Sequence, residues 1–319
     1  MLRSMFLSLS RASRVQRTIM RWPLAWRAAS RFVAGTQLTE ALRVIQDLNT
    51  RGINATLDHL GENTTTTDEA AQAAAEIEHI LEEIDRSGVR TNVSIKLTQI
   101  GLALDEAMCR EHVARILAHA RDCHNFVRID MEETAYTEQT LSLYHQMRQR
   151  GFDNTGVVIQ SYLYRSGFDV SKLVQEHARV RLVKGAYSEP RDVAYPRKAD
   201  VDANFDRLTE LLLSGVLAAG APPLGEDGRT PPIPAIATHD ARRVEFAQAH
   251  ARRIGLPERA MEFQMLYGIR RDLQERLVAA GYPVRVYVPY GTHWYPYLMR
   301  RLAERPANVW FFVMNYFRR

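Results

Sequence analysis

One rhythm constrains this chain more than any other feature: short, β-branched apolar runs alternate with longer stretches of helical period, and the alternation repeats eight times. The runs are NATLDH (54–59), NVSIKL (92–97), FVRIDM (126–131), GVVIQS (156–161), VRLVKG (180–185), PAIATH (234–239), MEFQML (261–266) and VRVYVP (284–289). Helix candidates fall between them at 68–84, 105–121, 137–150, 203–217, 241–253 and 268–280. Eight strand and helix pairs in order predict an α/β fold of the (βα)8-barrel type. An open, doubly wound sheet is the alternative, because periodicity specifies βα order better than it specifies closure.

Residues 1–49 precede the first strand and read as two or three helices, the last an amphipathic stretch at 39–48. The expected organisation is an N-terminal helical arm over 1–50 and a catalytic barrel over 51–319. The segment GAPPLGEDGRTPPIP (220–234) holds five prolines and three glycines, too many breakers for an element. It reads as a surface loop on the far side of its strand from any site at the carboxyl ends.

Charge is unevenly spread. The formal net charge is +5, yet the first 35 residues hold seven arginines (Arg3, Arg11, Arg14, Arg17, Arg21, Arg27 and Arg31) and no acidic residue. Residues 36–319 therefore carry 35 basic against 37 acidic groups. A polyanion binder needs basic residues across its working surface, so no nucleic-acid partner is expected for the body of the chain. The two cysteines, Cys109 and Cys123, form no CxxC and offer neither a disulfide framework nor a thiolate zinc site. No run of 18 apolar residues occurs that would span a bilayer.

Active sites of such barrels sit at the carboxyl ends of the strands. This sequence places Asp58, Lys96, Asp130, Gln160, Lys184, Thr238 with His239, Gln264 and Tyr287 at or near those ends. A charge near the end of a buried strand costs several kcal/mol unless it is paired or meets a ligand. For Asp58 and His239 taken singly, a helix cap or a structural ion pair is the better reading. No GxG occurs, which removes the dinucleotide fingerprint, and there is no P-loop and no GxSxG elbow. His112 and His119, seven apart on a helix candidate, read as solvated groups, and no metal site is expected.

The most informative segment is GTHWYPYLMRRLAERP (291–306). Tyr297 precedes Arg300 and Arg301 by three and four residues, and Glu304 follows them by four and three, so one helix face presents an aromatic ring, two guanidiniums and a carboxylate. Arginine grips a carboxylate through two parallel hydrogen bonds, and Lys96 adds a third cation that Asp130 and Glu304 are candidates to balance. A solvated face laced by salt bridges is the alternative.

These residues resemble the proline dehydrogenase family in its short, monofunctional bacterial form. The similarity is dense at VSIKL (93–97), RIDMEE (128–133), VIQSYLYR (158–165), VRLVKGAY (180–187), ATHD (237–240), EFQMLYGIRRDLQ (262–274), VRVYVPYGT (284–292) and from Arg300 to RPANVWF (305–311). The resemblance implies a distorted barrel whose last helix lies over the top, and oxidation of L-proline to Δ1-pyrroline-5-carboxylate by hydride transfer to FAD. It implies that Arg300, Arg301 and Lys96 bind the substrate carboxylate, that Tyr287, Tyr297 and Leu266 pack around the pyrrolidine ring, and that Asp130 organises Lys96 and the tyrosines. It places Arg181 at the reactive flavin nitrogen, with Met131, Gln160, Val183, Lys184, Gly185, Ala186 and Tyr187 along the ring and ribityl chain and Thr238 with His239 further along. Glide of backbone past the cofactor is the expected reason for glycine at 185. Glu62 matches a family carboxylate that pairs with an arginine of the last helix, Arg301 here, as a gate over the substrate.

A membrane quinone is the implied electron acceptor and a separate pyrroline-5-carboxylate dehydrogenase the implied consumer of product. The Arg-rich start is expected to be an ordered arm touching anionic lipid in a cytoplasmic enzyme attached to the inner membrane; the alternative is a mitochondrial transit peptide. Two rival functions are a Schiff-base aldolase using Lys96 or Lys184, and a membrane-docking module built on the basic arm.

Overall fold

The computed structural model describes residues 23–61 and 64–304. Its eight parallel strands are β1 (Asn54–His59), β2 (Thr91–Ile95), β3 (Val127–Ile129), β4 (Thr155–Gln160), β5 (Arg179–Val183), β6 (Pro234–Ala237), β7 (Glu262–Leu266) and β8 (Val284–Tyr290). They pair in sequence order into a closed barrel. Closure is made by β8 on β1, in a ladder from Asn54 with Arg285 to His59 with Tyr290, and this excludes the open sheet. All eight strands fall where the sequence predicts them, with ends displaced by no more than two residues.

The helices are α1 (Pro23–Ala29), α2 (Leu38–Thr50), α3 (Thr67–Ser87), α4 (Glu106–Asp122), α5 (Thr137–Gln149), α6 (Ser166–Gln175), α7 (Lys198–Ala218), α8 (Ala241–Ile254), α9 (Arg271–Ala279) and α10 (Trp294–Glu304). Local chemistry explains their limits. The Thr66 hydroxyl accepts from the Glu69 amide at 3.2 Å while the Glu69 carboxylate accepts from the Thr65 and Thr66 amides, a capping box that starts α3. Gly88 ends it at φ 67°. Helix α6 has no such signal: its N-cap is Arg165, which makes no capping bond and instead pairs with Asp169 at 2.8 Å.

Strand alternation sorts the side chains. Leu57, Ile95, Ile129, Val157, Leu182, Ile236, Phe263 and Val286 point outward into the main core beneath the helices. The inward positions are unusually polar and still buried: Thr56, Asn92, Ser94, Arg128, Arg181, Glu262, Gln264 and Arg285. A second apolar cluster joins Ala29, Phe32 and Val33 to Leu60, Trp294, Tyr295, Leu298 and Met299, with the Trp26 and Trp294 rings 5.6 Å apart. This contact between the segment before the barrel and α10 holds the last helix over the carboxyl ends of the strands.

Two expectations need correction. His112 is not solvated: it is buried, and its Nδ1 lies 3.0 Å from the Ile100 carbonyl. The loop at 220–233 is more than a surface connection, because it closes the amino-end mouth of the barrel. Arg229 is buried there, pairing with Asp85 at 3.1 Å and donating to the Cys123 carbonyl at 3.1 Å. Asn92 donates to the Arg229 carbonyl at 2.9 Å and Arg285 to the Gly228 carbonyl at 2.8 Å, so the loop backbone satisfies polar groups that face down the axis. Among the described residues no helix is long and apolar enough to cross a membrane.

Candidate active site

One cavity of about 610 Å³ opens at the carboxyl ends of the strands. Asp130, Arg181, Lys96, Tyr287, Leu266, Tyr297, Arg300 and Arg301 line it. So do Met131, Gln160, Val183, Lys184, Gly185, Ala186, Tyr187, Thr238 and His239, so every predicted site residue within the described segments meets in one place. Glu62 and the Glu304 side chain lie outside the described residues.

Asp130, at the end of β3, is the hub. Its Oδ1 accepts from Arg181 Nη1 at 2.8 Å and from the Ser94 hydroxyl at 2.7 Å, and its Oδ2 accepts from the Tyr287 hydroxyl at 2.7 Å. Burial pushes the Tyr287 hydroxyl well above the usual tyrosine range, and the Asp130 charge adds to the push, so the phenol stays a donor. The Arg181 guanidinium also stands 5.3 Å from the Tyr287 ring centroid.

Lys96 has a nearer carboxylate than the expected Asp130. Its ammonium lies 2.7 Å from Asp58 Oδ1 and 4.0 Å from Asp130, so Asp58 is its first counter-ion. The same ammonium reaches the Tyr287 hydroxyl at 3.4 Å. Asp58 is thus a structural ion pair and part of the cavity wall together. On the opposite wall Lys184 bridges Asp202 at 2.5 Å and Asp240 at 2.9 Å, and Asp240 also caps α8 by accepting from the Arg242 amide. Asp240, Lys198 and Arg270 are members of this wall that strand-end reasoning missed, since they sit on helix starts and loops, and Asp202 supports Lys184 from behind it.

His239 both lines the cavity and holds its frame: its Nε2 accepts from the Leu266 amide at 2.9 Å, which assigns the proton to Nδ1. From α10, Arg301 stacks over the Tyr297 ring at 5.1 Å. The glycine at 185 lines the cavity and has a steric cause besides the expected one. Its φ is +110°, and a Cβ there would collide with the Tyr162 ring.

The residues fit a flavin. Gln160 is buried, spends its amide donors on the Met131 and Glu132 carbonyls at 3.4 and 3.2 Å, and is left with Oε1 as a buried acceptor without a partner among the described residues. An acceptor beside the cations Arg181 and Lys184 matches a heteroaromatic edge that alternates N–H with carbonyls. Among the described residues no group of three or more His, Cys, Asp or Glu side chains could hold a metal. Burial pushes the Cys109 thiol up to about 12, which makes it inert as a nucleophile at neutral pH.

A closed parallel barrel with a charged, aromatic-walled cavity at its carboxyl ends defines a (βα)8-barrel enzyme. The chain matches the family model described as proline dehydrogenase over residues 41–313. It is 41% identical over 315 residues to proline dehydrogenase 1 of Bacillus subtilis (strain 168), covering 98% of this chain and 97% of that one. It is 39% identical to the proline dehydrogenase of Deinococcus radiodurans, over 91% of this chain and 90% of that one. In structure it resembles proline utilization A from Bdellovibrio bacteriovorus inactivated by N-propargylglycine, with a TM-score of 0.78 and 26% identity over 88% of this chain. The match spans 33% of that longer chain. This chain belongs to the proline dehydrogenase family.

Proposed function

We propose that the protein oxidises L-proline to Δ1-pyrroline-5-carboxylate with FAD as its resident cofactor and a membrane quinone as final acceptor, the first step of proline catabolism. The observation that carries the reading is the convergence of Lys96, Arg300 and Arg301 with Tyr287, Tyr297 and Leu266 beside the Arg181 and Asp130 pair. The three cations bind the substrate carboxylate, Arg through paired charge-assisted hydrogen bonds. The tyrosines and Leu266 wall in the pyrrolidine ring, so the donor carbon is presented in one orientation. Arg181, Met131, Gln160, Val183 and Lys184 through Tyr187 hold the cofactor, with Thr238 and His239 along its chain. Bound FAD supplies the hydride acceptor.

The balance is two electrons and one proton leaving the ring carbon as hydride, while the amine proton passes to solvent and the C=N bond forms. The rival aldolase is weakened by geometry. A Schiff-base lysine attacks as a neutral amine, and both Lys96 and Lys184 stand in carboxylate contacts at 2.9 Å or less. Reoxidation by quinone calls for membrane contact, for which the arginine-rich start of the chain is the proposed docking element in a cytoplasmic, inner-membrane-associated enzyme. A separate pyrroline-5-carboxylate dehydrogenase is the proposed consumer of product.

The absorbance spectrum of the purified protein tests this reading. A yellow protein bleached by proline under anaerobic conditions, and not by hydroxyproline, is the expected result; a colourless protein, or one indifferent to proline, overturns it. A second expectation concerns pH. Hydride leaves only when the amine has lost its proton, so turnover should rise toward alkaline pH. Because burial keeps the Tyr287 phenol protonated, Tyr287→Phe should lower the rate without moving the midpoint of that rise. A shifted or flattened profile in this variant would assign the titration to Tyr287 instead.

A further inference from the structure

A continuous hydrogen-bonded chain runs along the barrel axis from the loop at the amino end to the cavity. The Gly228 carbonyl accepts from Arg285 Nη2 at 2.8 Å, and Arg285 Nε spans both oxygens of Glu262 at 3.0 Å. Glu262 Oε1 accepts from Gln264 Nε2 at 2.5 Å. Gln264 Oε1 accepts from Arg181 Nε at 2.5 Å, and Arg181 Nη1 continues to Asp130 at 2.8 Å. All of these side chains but Asp130 are buried, Glu262 and Arg285 completely. Gln264 lines the cavity, whereas Glu262 and Arg285 lie below it.

The middle link decides the geometry above it. A glutamine amide presents an oxygen or an NH2 of nearly the same shape, and only the oxygen can accept from Arg181 Nε. A carboxylate only accepts, so Glu262 forces the NH2 end of Gln264 downward and its oxygen up toward Arg181. The guanidinium is then fixed at Nε by Gln264 and at Nη1 by Asp130 and Ser94, two anchors that set the plane of a rigid fork. Arg285 supplies the counter-charge that permits a carboxylate at the barrel centre.

We propose that Glu262 is a positioning residue that fixes the Arg181 guanidinium through the amide of Gln264. The inference rests on the functional reading above, since it matters to turnover only if Arg181 meets the reacting cofactor. The side-chain partners of Glu262 are Gln264 and Arg285, and Lys96 meets the relay at its far, Asp130 end, so loss of Glu262 disturbs orientation for hydride transfer and leaves carboxylate capture intact. A cation held against a ring that gains electrons favours the reduced form, so a loosened Arg181 also makes the flavin potential more negative.

The test compares Glu262→Gln, Gln264→Met and the double variant in flavin-loaded enzyme, reading kcat and KM for proline and the flavin midpoint potential. Glu262→Gln should lower kcat about tenfold or more with KM changed by less than about twofold, and the double variant should be no slower than Gln264→Met alone. The potential of Gln264→Met, a neutral-for-neutral change, should move negative. A folded Glu262→Gln enzyme with wild-type kcat, a Gln264→Met enzyme with wild-type potential, or losses that multiply in the double variant, overturns the proposal. If Glu262→Gln does not fold, Glu262→Met with Arg285→Met removes both buried charges together, and the same fall in kcat is expected; wild-type kcat there, or in Gln264→Met, which leaves the ion pair intact, overturns it. A wild-type protein without proline-bleachable flavin sinks the functional reading itself, which is a distinct outcome from an active wild type beside unaffected variants.

Discussion

Replacing Asp130 with Asn should lower kcat/KM for proline by about 10²- to 10³-fold, or about 3–4 kcal/mol of transition-state stabilisation. The substitution keeps volume and shape, so the loss comes from charge and hydrogen-bond polarity. The carboxylate accepts from Arg181 and Ser94 at one oxygen and from Tyr287 at the other, and its charge stands 4.0 Å from the Lys96 ammonium. An amide offers one acceptor where two are needed. In either orientation its NH2 faces a donor, either the guanidinium with the Ser94 hydroxyl or the Tyr287 phenol. Two buried cations also lose the anion between them, which turns their proximity from mutual support into repulsion. Steady-state kinetics with a soluble electron acceptor measures the effect, and flavin absorbance of the same preparation separates lost turnover from lost cofactor. A folded, flavin-loaded Asp130→Asn enzyme within about threefold of wild type would remove Asp130 from the centre of the site.

The barrel was legible because its signal is one-dimensional. Strand period and helix period alternate along the chain, and the polar residue that ends each apolar run marks the catalytic face. Thus Lys96, Asp130, Gln160, Lys184 and Tyr287 could be found by position, and Arg300 with Arg301 by helical spacing and by resemblance. Which side chain pairs with which could not be found that way. Lys96 lies closer to Asp58 than to Asp130 because the β1–β2 register sets Asp58 opposite Ser94, one inward step below Lys96. Glu262 and Arg285 meet because β7 and β8 align Gln264 with Arg285, a relation between residues on different strands that no spacing rule contains. Helix α6 went unread because it is ten residues long, carries Gly167 in its first turn and has no capping side chain. The breaker-rich loop lies away from the site, but only three-dimensional closure reveals that its Gly228 and Arg229 carbonyls cap the axial side chains Arg285 and Asn92 while the Arg229 side chain ties the loop to the ends of α3 and α4.

The Lys96 and Asp58 pair should separate stability from substrate binding. Asp58 is 1% exposed and Lys96 6%, so neither charge has water to fall back on. Lys96→Met should therefore destabilise the fold by about 3–5 kcal/mol, because it leaves a buried carboxylate without its ammonium partner. Adding Asp58→Asn removes the stranded charge, and the double variant should recover most of that loss, to within about 1–2 kcal/mol of wild type. Denaturant titration reads this as a midpoint that falls and then returns at constant slope. Function should not return with it. The double variant still lacks the third cation of the carboxylate clamp, and one charge-assisted hydrogen bond of about 1.5–3 kcal/mol corresponds to a KM for proline raised about 10- to 100-fold. A Lys96→Met protein as stable as wild type would mean that Asp58 is satisfied by its other neighbours. A double variant with wild-type KM would mean that the two arginines of α10 hold the substrate carboxylate by themselves, and that Lys96 serves the barrel rather than the proline.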